Sequence, residues 1–292
     1  GWSDCTSPKT YYDLSEGSHN FSLRAIDSVG NIGPVVYYNW TADYTDPITT
    51  ITSGPDTITN STSATFQFAI SEDNTTSECK ASYQGGGGWG SCTSPITYDG
   101  LNESNPDSFT FNVRTTDEAG NLGNTTTYSW TTDYTAPVVT LTSYPSSRTN
   151  NQVATFNFTA DESAIFDCSF NNSAWYSCTG PVVFSNLSED SYSFKVRGTD
   201  NANNTGSPTS HNWVVDITRP VTTIYSGPSS LSNSDSASFS FSNNEGNGTT
   251  TTDECNLDGE DNWSACLSPV EYGNLSDGDH TFMVQTTDGA GN

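Results

Sequence analysis

Seven cysteines, Cys5, Cys79, Cys92, Cys168, Cys178, Cys255 and Cys266, carry the clearest covalent chemistry in this chain. Four of them close the string Trp-x-x-Cys: Trp2 to Cys5, Trp89 to Cys92, Trp175 to Cys178 and Trp263 to Cys266. The steps between those four cysteines are 87, 86 and 88 residues, so the chain is a tandem array with a period near 87. Three copies add an upstream cysteine, which gives local pairs Cys79/Cys92, Cys168/Cys178 and Cys255/Cys266. Cys5 stands alone in the second-cysteine column, and its partner is expected upstream of residue 1. Zinc wants four ligands, whereas each repeat offers two cysteines and the whole chain has 3 His. Disulfides are therefore expected, with an oxidising, extracellular setting. The Trp before each second cysteine is expected to pack over the bridge. The alternative is an exposed ring that stacks on sugars.

Carboxylates and asparagines are the next candidates. Asp43, Asp133 and Asp216 share a column where one repeat gives way to the next. Calcium needs six to eight oxygens, and one recurring Asp per junction falls short, so no metal is expected. Arg24, Arg114 and Arg197 share another column, with Glu72 and Glu162 as candidate partners. Asn-x-Ser/Thr occurs at Asn20, Asn39, Asn60, Asn74, Asn102, Asn124, Asn157, Asn171, Asn186, Asn203, Asn247, Asn262 and Asn274. In an extracellular chain these are acceptors for N-glycans. His19 and His280 have no recurring nucleophile or acid beside them, so catalysis is not expected there. Gly85 to Gly88 lack the Lys-Ser/Thr of a phosphate loop and read as slack between two cysteines. No zinc-protease, hydrolase-elbow, P-loop or dinucleotide string occurs. The chain is expected not to be an enzyme and to need no cofactor.

Charge narrows the partners. The formal net charge is −26, with 34 acidic against 8 basic residues. Binding a phosphate backbone needs clustered Lys and Arg, so nucleic acid is excluded. No apolar run approaches the ~20 residues of a membrane-spanning helix, and no membrane insertion is expected. Mutual repulsion and solubility are the ordinary consequences of so acidic a surface.

The elements that must hold these residues are short strands. In the third copy, Ala154 to Phe158 alternates with Phe156 and Phe158 on one side. The same pair recurs as Phe66/Phe68 and Phe239/Phe241. Period two puts each pair on one face, the core, and turns Gln67, Asn157 and Ser240 to water. Runs starting near Pro137, Ala154, Ile165, Trp175, Pro181, Tyr192 and Ser210 predict seven strands, with no helical period. That is the pattern of a β-sandwich. Asp117-Glu-Ala-Gly120-Asn121 reads as a hairpin turn, because Gly adopts positive φ and the Asp and Asn side chains satisfy turn backbone. Asp200 to Asn204 is the same turn with Asn203 in place of the Gly. Linkers such as Asp43 to Pro47 span about four residues and carry a Pro, which limits bending. An extended, fairly rigid rod follows, each repeat touching its neighbours alone.

The combined string resembles a known repeat. It runs Trp-x-x-Cys-Thr-Ser-Pro, then Leu-x-x-Gly-x-His-x-Phe, then Asp-x-x-Gly-Asn, then Trp-Thr-x-Asp-x-x-x-Pro. It is similar to the Ig-like repeats of very large extracellular proteins, including prokaryotic surface proteins and the mastigoneme-type proteins of algal flagellar hairs. The third copy departs at its Asn203 turn and at Thr179-Gly180-Pro181. The corner at Tyr192 resembles the tyrosine corner of such sandwiches, with His19 and His280 in the same column. The resemblance implies an all-β array of Ig-like or fibronectin-III-like sandwiches, each with one local disulfide. Its divisions are a partial repeat over 1–43, whole repeats over 44–133 and 134–216, and a repeat over 217–292 without its last strand. It implies stalks, adhesins and filament subunits without activity of their own. The expected role is a glycosylated structural segment of an extracellular filament or surface fibre, partnered by other copies or neighbouring repeats. The alternative is an adhesin stalk or carbohydrate-binding array.

Overall fold

A computed structural model describes residues 1–82, 87–101, 108–245, 250–259 and 262–292. The secondary structure is β throughout the described residues. The chain forms two compact units, Gly1–Tyr134 and Thr135–Asn292.

In the first unit, Gly17–Leu23 and Val36–Ala42 make an antiparallel ribbon. Two sheets follow. One orders Thr49–Ser53, Ser63–Ile70 and Ile96–Asp99, with the middle strand second in sequence. The other orders Ile58–Thr59, Thr126–Thr132, Ser108–Thr116, Thr76–Ala81 and Gly90–Cys92. Three strands facing four or five, with sequence neighbours split between sheets, is the immunoglobulin and fibronectin-III arrangement. The two sheets meet on the alternating apolar residues. Ala64, Phe66 and Phe68 come from one sheet, and Cys79, Phe109, Phe111, Val113 and Trp130 from the other. Phe66 and Phe111 stack with centroids 4.1 Å apart.

The second unit repeats the plan. Val139–Ser143, Ala154–Ala160 and Val182–Phe184 form one sheet. Arg148–Thr149, Thr209–Val215, Asp190–Thr199, Ile165–Phe170 and Tyr176–Cys178 form the other. Phe156, Phe194, Val196, Trp213 and Val215 are sealed between them. After residue 216, Thr222–Ser226, Ala237–Asn243 and Val270–Tyr272 pair in one sheet, and Ser264–Ala265, Thr252–Leu257 and Phe282–Thr287 in another.

The alternation read from the sequence holds at Phe66, Phe68, Phe156, Phe158 and Phe241, which are buried, and at Gln67, which is exposed; Asn157, Phe239 and Ser240 are half-buried. The strand count was one short. Arg148–Thr149 and its counterpart Ile58–Thr59 are two-residue strands in parallel pairing with the last strand of their repeat. Two residues are too few to show a period, and parallel pairing depends on the tertiary fold. The first strand of each repeat also slips register before its last residue, between Ile51 and Ser53, Leu141 and Ser143, and Ile224 and Ser226. Such a bulge bends the edge of a sheet.

Candidate functional site

The cysteine pairs are bonded: Cys79–Cys92, Cys168–Cys178 and Cys255–Cys266, with Cys5 free and exposed. Each bridge ties a strand to the short edge strand paired beside it or to the residue just after that strand, so it staples one sheet rather than joining two. Cys79 lies opposite Gly90, and Cys92 opposite Ser77. Cys79 and Cys168 are buried, and Cys92 and Cys178 pack against the same cores.

That register corrects the expectation for the tryptophans. Side chains alternate faces along a strand, and a Trp three residues before a Cys stands on the opposite face. Trp89 therefore shares the outer face with Ser91, Glu78 and Arg114, while Cys92 turns inward. The Arg114 guanidinium lies 4.3 Å from the Trp89 ring centroid, with the Lys80 ammonium at 5.0 Å. Arg24 covers Trp2 at 4.2 Å, and Arg197 covers Trp175 at 4.4 Å. The arginines' carboxylate partners also differ from those expected. Arg114 donates from Nε and Nη2 to Glu78, at 3.0 and 2.7 Å, and Arg197 pairs with Asp167 at 3.3 Å. Glu78 and Asp167 stand directly opposite these arginines on the neighbouring strand. Cross-strand register decides the pairing, whereas Glu72 lies in the loop after its strand. The outer face of the larger sheet thus carries a row of carboxylate, guanidinium and indole. In the fourth repeat Gln285 takes the arginine's place and donates to Glu254 at 2.9 Å, and Trp263 is 37% exposed.

The hairpin turns behave as read. Asp117 accepts from the Gly120 and Asn121 backbone and from the Asn121 side chain, at 2.7 to 2.8 Å. Asp27, Asp200 and Asp288 hold the same turn. The residue before the final Asn has positive φ in all four, Gly30, Gly120, Asn203 and Gly291. Burial pushes the Asp117 carboxyl up, but these hydrogen bonds outweigh it and hold the group below its ordinary range. The same balance lowers Asp288.

These turns also reach the linkers. In the first unit Asn121 Nδ2 donates to the Asp43 carbonyl at 3.1 Å. In the second, Asn292 Nδ2 donates to the Asp216 carbonyl at 2.8 Å. The linker is tied to the preceding repeat as well: Thr45 Oγ1 bonds Glu16, and Thr218 Oγ1 donates to Glu189 at 2.7 Å. Gly123 and Gly206 lie close against the chain just before the first strand of their own repeat. A Cβ at either would lie 2.0 Å from the carbonyl oxygen of Pro47 or Pro137.

At the junction in the first unit, three carboxylates meet rather than one. Asp43, Glu72 and Asp117 each place an oxygen within 4.8 Å of the others. Desolvation, then the charges of Asp117 and Asp43, push the Glu72 carboxyl up. Calcium would still lack most of its oxygens from these three, and Asp117 is already committed to its turn. At the corresponding junction in the second unit, Arg148 pairs with Asp216 at 2.8 Å.

The corner read as a tyrosine corner is one. Tyr192 OH donates to the Ser188 carbonyl at 2.9 Å, four residues back. His19 and His280 Nε2 make the same bond to Ser15 and Ser276, at 2.6 and 2.9 Å. In these two repeats an imidazole performs the phenol's structural task.

Of the sequon asparagines, Asn20, Asn39, Asn60, Asn74, Asn124, Asn171, Asn186, Asn203, Asn262 and Asn274 are exposed. Asn157 is half-buried, and Asn102 and Asn247 lie outside the described residues, as do Gly85 and Gly86. Asn20 and Asn39 face each other across the first ribbon and hydrogen-bond side chain to side chain.

No family model matches the chain, and no curated protein does. Among solved structures it is similar to the fibronectin(III)-like modules of CbhA from Clostridium thermocellum. That match is 13% identical and covers 57% of this chain and 94% of that one, with a TM-score of 0.36. It is also similar to the FN1–FN3 domains of chicken CNTN1, 12% identical over 67% of this chain and 77% of that one, again at 0.36. The class of the fold, all-β sandwiches of the immunoglobulin and fibronectin-III kind, rests on the strand order described above.

Proposed function

We propose that this chain is a structural, glycosylated segment of an extracellular filament or surface fibre, without catalytic activity. The observation that carries the reading is the linker tied on both sides. Asn121 and Asn292 hold the linker carbonyls from one repeat, and Glu16 and Glu189 hold the linker hydroxyls from the other. A linker fixed in this way transmits force and orientation between neighbouring sandwiches instead of letting them swivel. Local disulfides suit an oxidising environment, and each closes a short loop at about 3 kcal/mol by the chain-entropy argument. Exposed sequons supply a glycan coat, and the acidic surface supports solubility.

The partners under this reading are further copies or neighbouring repeats, together with covalent N-glycans. Electron microscopy of the native surface material, with an antibody against this segment, tests it. Regularly spaced label along filaments is the expected result; label confined to dispersed soluble protein would refute it. Peptide mapping of the same material should find glycans at the exposed sequons. Asn20 and Asn39 should be occupied alternatively, since their side chains contact each other.

Carbohydrate binding is the second reading, favoured by the exposure of Trp2 and Trp263. Arginines cover one face of Trp2, Trp89 and Trp175, so Trp263 is the ring to test first. Glycan-array binding lost in Trp263→Ala would support it.

A further inference from the structure

The spacing Trp-x-x-Cys is unexplained by the disulfide, because the Trp points away from it. For Trp89, Trp175 and Trp263 the odd offset puts the indole on the water side of the sheet, although an exposed aromatic gains little from burial there. Trp2 is 51% and Trp263 37% exposed, and Trp89 and Trp175 are half-buried. The two residues between vary freely, Ser-Asp, Gly-Ser, Tyr-Ser and Ser-Ala. What recurs is a Trp with a cysteine three positions later.

We propose that Trp2, Trp89, Trp175 and Trp263 are acceptors for C-linked mannose. A Trp followed three residues on by Trp or Cys is the general acceptor sequence for that modification in the secretory pathway. The donor class is a polyprenyl-phosphate-linked mannose. The electron-rich C2 of the indole attacks the anomeric carbon of mannose, and a carbon–carbon bond forms. The bond from that carbon to the phosphate oxygen breaks, and polyprenyl phosphate leaves with the electron pair. The C2 proton is then lost to a base, which restores aromaticity; no oxidant or reductant enters.

A Cβ built on Gly87, Gly88 or Gly90 meets nothing within 4 Å, so these backbone positions are uncrowded. The arginine lies over the face of the ring. A sugar on the ring's edge would stand beside the guanidinium and the carboxylate of the row. Its hydroxyls are donors and acceptors, suited to both groups. In the fourth repeat Gln285 and Glu254 offer the same kinds of partner without the charge of an arginine.

The inference rests on the extracellular part of the reading above, but its test does not depend on a filament role. The whole chain is secreted behind an added leader from cells that carry the C-mannosyltransferase, and from matched cells that lack it. Tryptophan peptides are then sequenced by mass spectrometry after enzymatic removal of N-glycans. The expected result is one hexose on each of the four tryptophans, resistant to release and absent without the transferase. Trp175→Phe should remove the hexose from its own peptide while the other three remain. Cys178→Ala should also strip Trp175, and peptide sequencing reads this whether or not the variant folds stably. Unmodified tryptophans in the transferase-bearing cells would overturn the proposal. So would an unchanged hexose on Trp175 in Cys178→Ala. Either result leaves the filament reading standing.

Discussion

The third and fourth repeats share one unit and nearly one core pattern, yet differ in how dry that core is. In the third, Phe156 stacks on Phe194 at 4.2 Å and both rings are fully buried. In the fourth, Phe239 stacks on Phe282 at 4.1 Å, and both remain half-buried. The stacked pair forms in either case, because each ring belongs to a different sheet and alternation points them at each other. Sealing comes from the strand Thr209–Val215, whose Trp213 lies 5.1 Å from Phe156. In the third repeat this strand closes the core over the stacked rings.

Removing Trp213 should leave the stacked pair Phe156 and Phe194 less sealed. Trp213→Ala is expected to cost about 3–5 kcal/mol, a large part of the 5–15 kcal/mol typical of a whole domain. Chemical denaturation, with faster hydrogen exchange along Ala154–Ala160, would measure it. A loss under about 1 kcal/mol would show that closure does not depend on this ring.

Replacing Cys168 and Cys178 together by Ser should lower stability by about 3 kcal/mol while leaving the sheet order intact. The comparison is sharpened by making the same change at Cys255 and Cys266. A loss of similar size is expected there, read in the fourth repeat's own amide resonances.

A smaller effect is expected on the outer face. Arg197→Gln converts the third repeat to the fourth repeat's chemistry and removes a cation–π contact and a partly exposed ion pair. A loss of about 1 kcal/mol is expected. Gln285→Arg should do the reverse, shifting the Trp263 indole resonance as a guanidinium settles over it.

The smallest effect is tied to pH. His280 is raised above its ordinary 6.5, first by its bond to the Ser276 carbonyl and then by Asp258. Asp258 is lowered from 3.8, chiefly by His280. The raised imidazole adds stability that is complete below about 6.5 and is lost as pH rises through the folded value. The lowered carboxyl adds stability above about 3.8 that is lost as pH falls through its folded value. The corner in the fourth repeat should thus be firmest between those limits. Asp258→Asn should bring the His280 titration, followed by NMR, part of the way back to 6.5.

Much of this was legible in the residues. The Phe pairs at i and i+2 declared the core, and the Asp…Gly-Asn strings declared the turns, because both are local. The cysteine columns led to the bridges. What escaped depended on register between distant strands. The partners of Arg114 and Arg197 became visible only when Glu78 and Asp167 were seen opposite them. The meeting of Asp43, Glu72 and Asp117 joins residues from three separate segments. The side of the sheet occupied by Trp89 was readable, since an odd offset from Cys92 means opposite faces. That parity is the signal that should have placed it.

The account turns on linkers held from both sides. Residual dipolar couplings measured on the intact chain, for amides on either side of Asp216–Pro220, test this most directly. Both sandwiches of that unit should fit one alignment tensor, and Asn292→Ala with Glu189→Ala should split it into two. Two unrelated tensors in the unaltered protein would mean that the repeats swivel, and would contradict a rigid structural role.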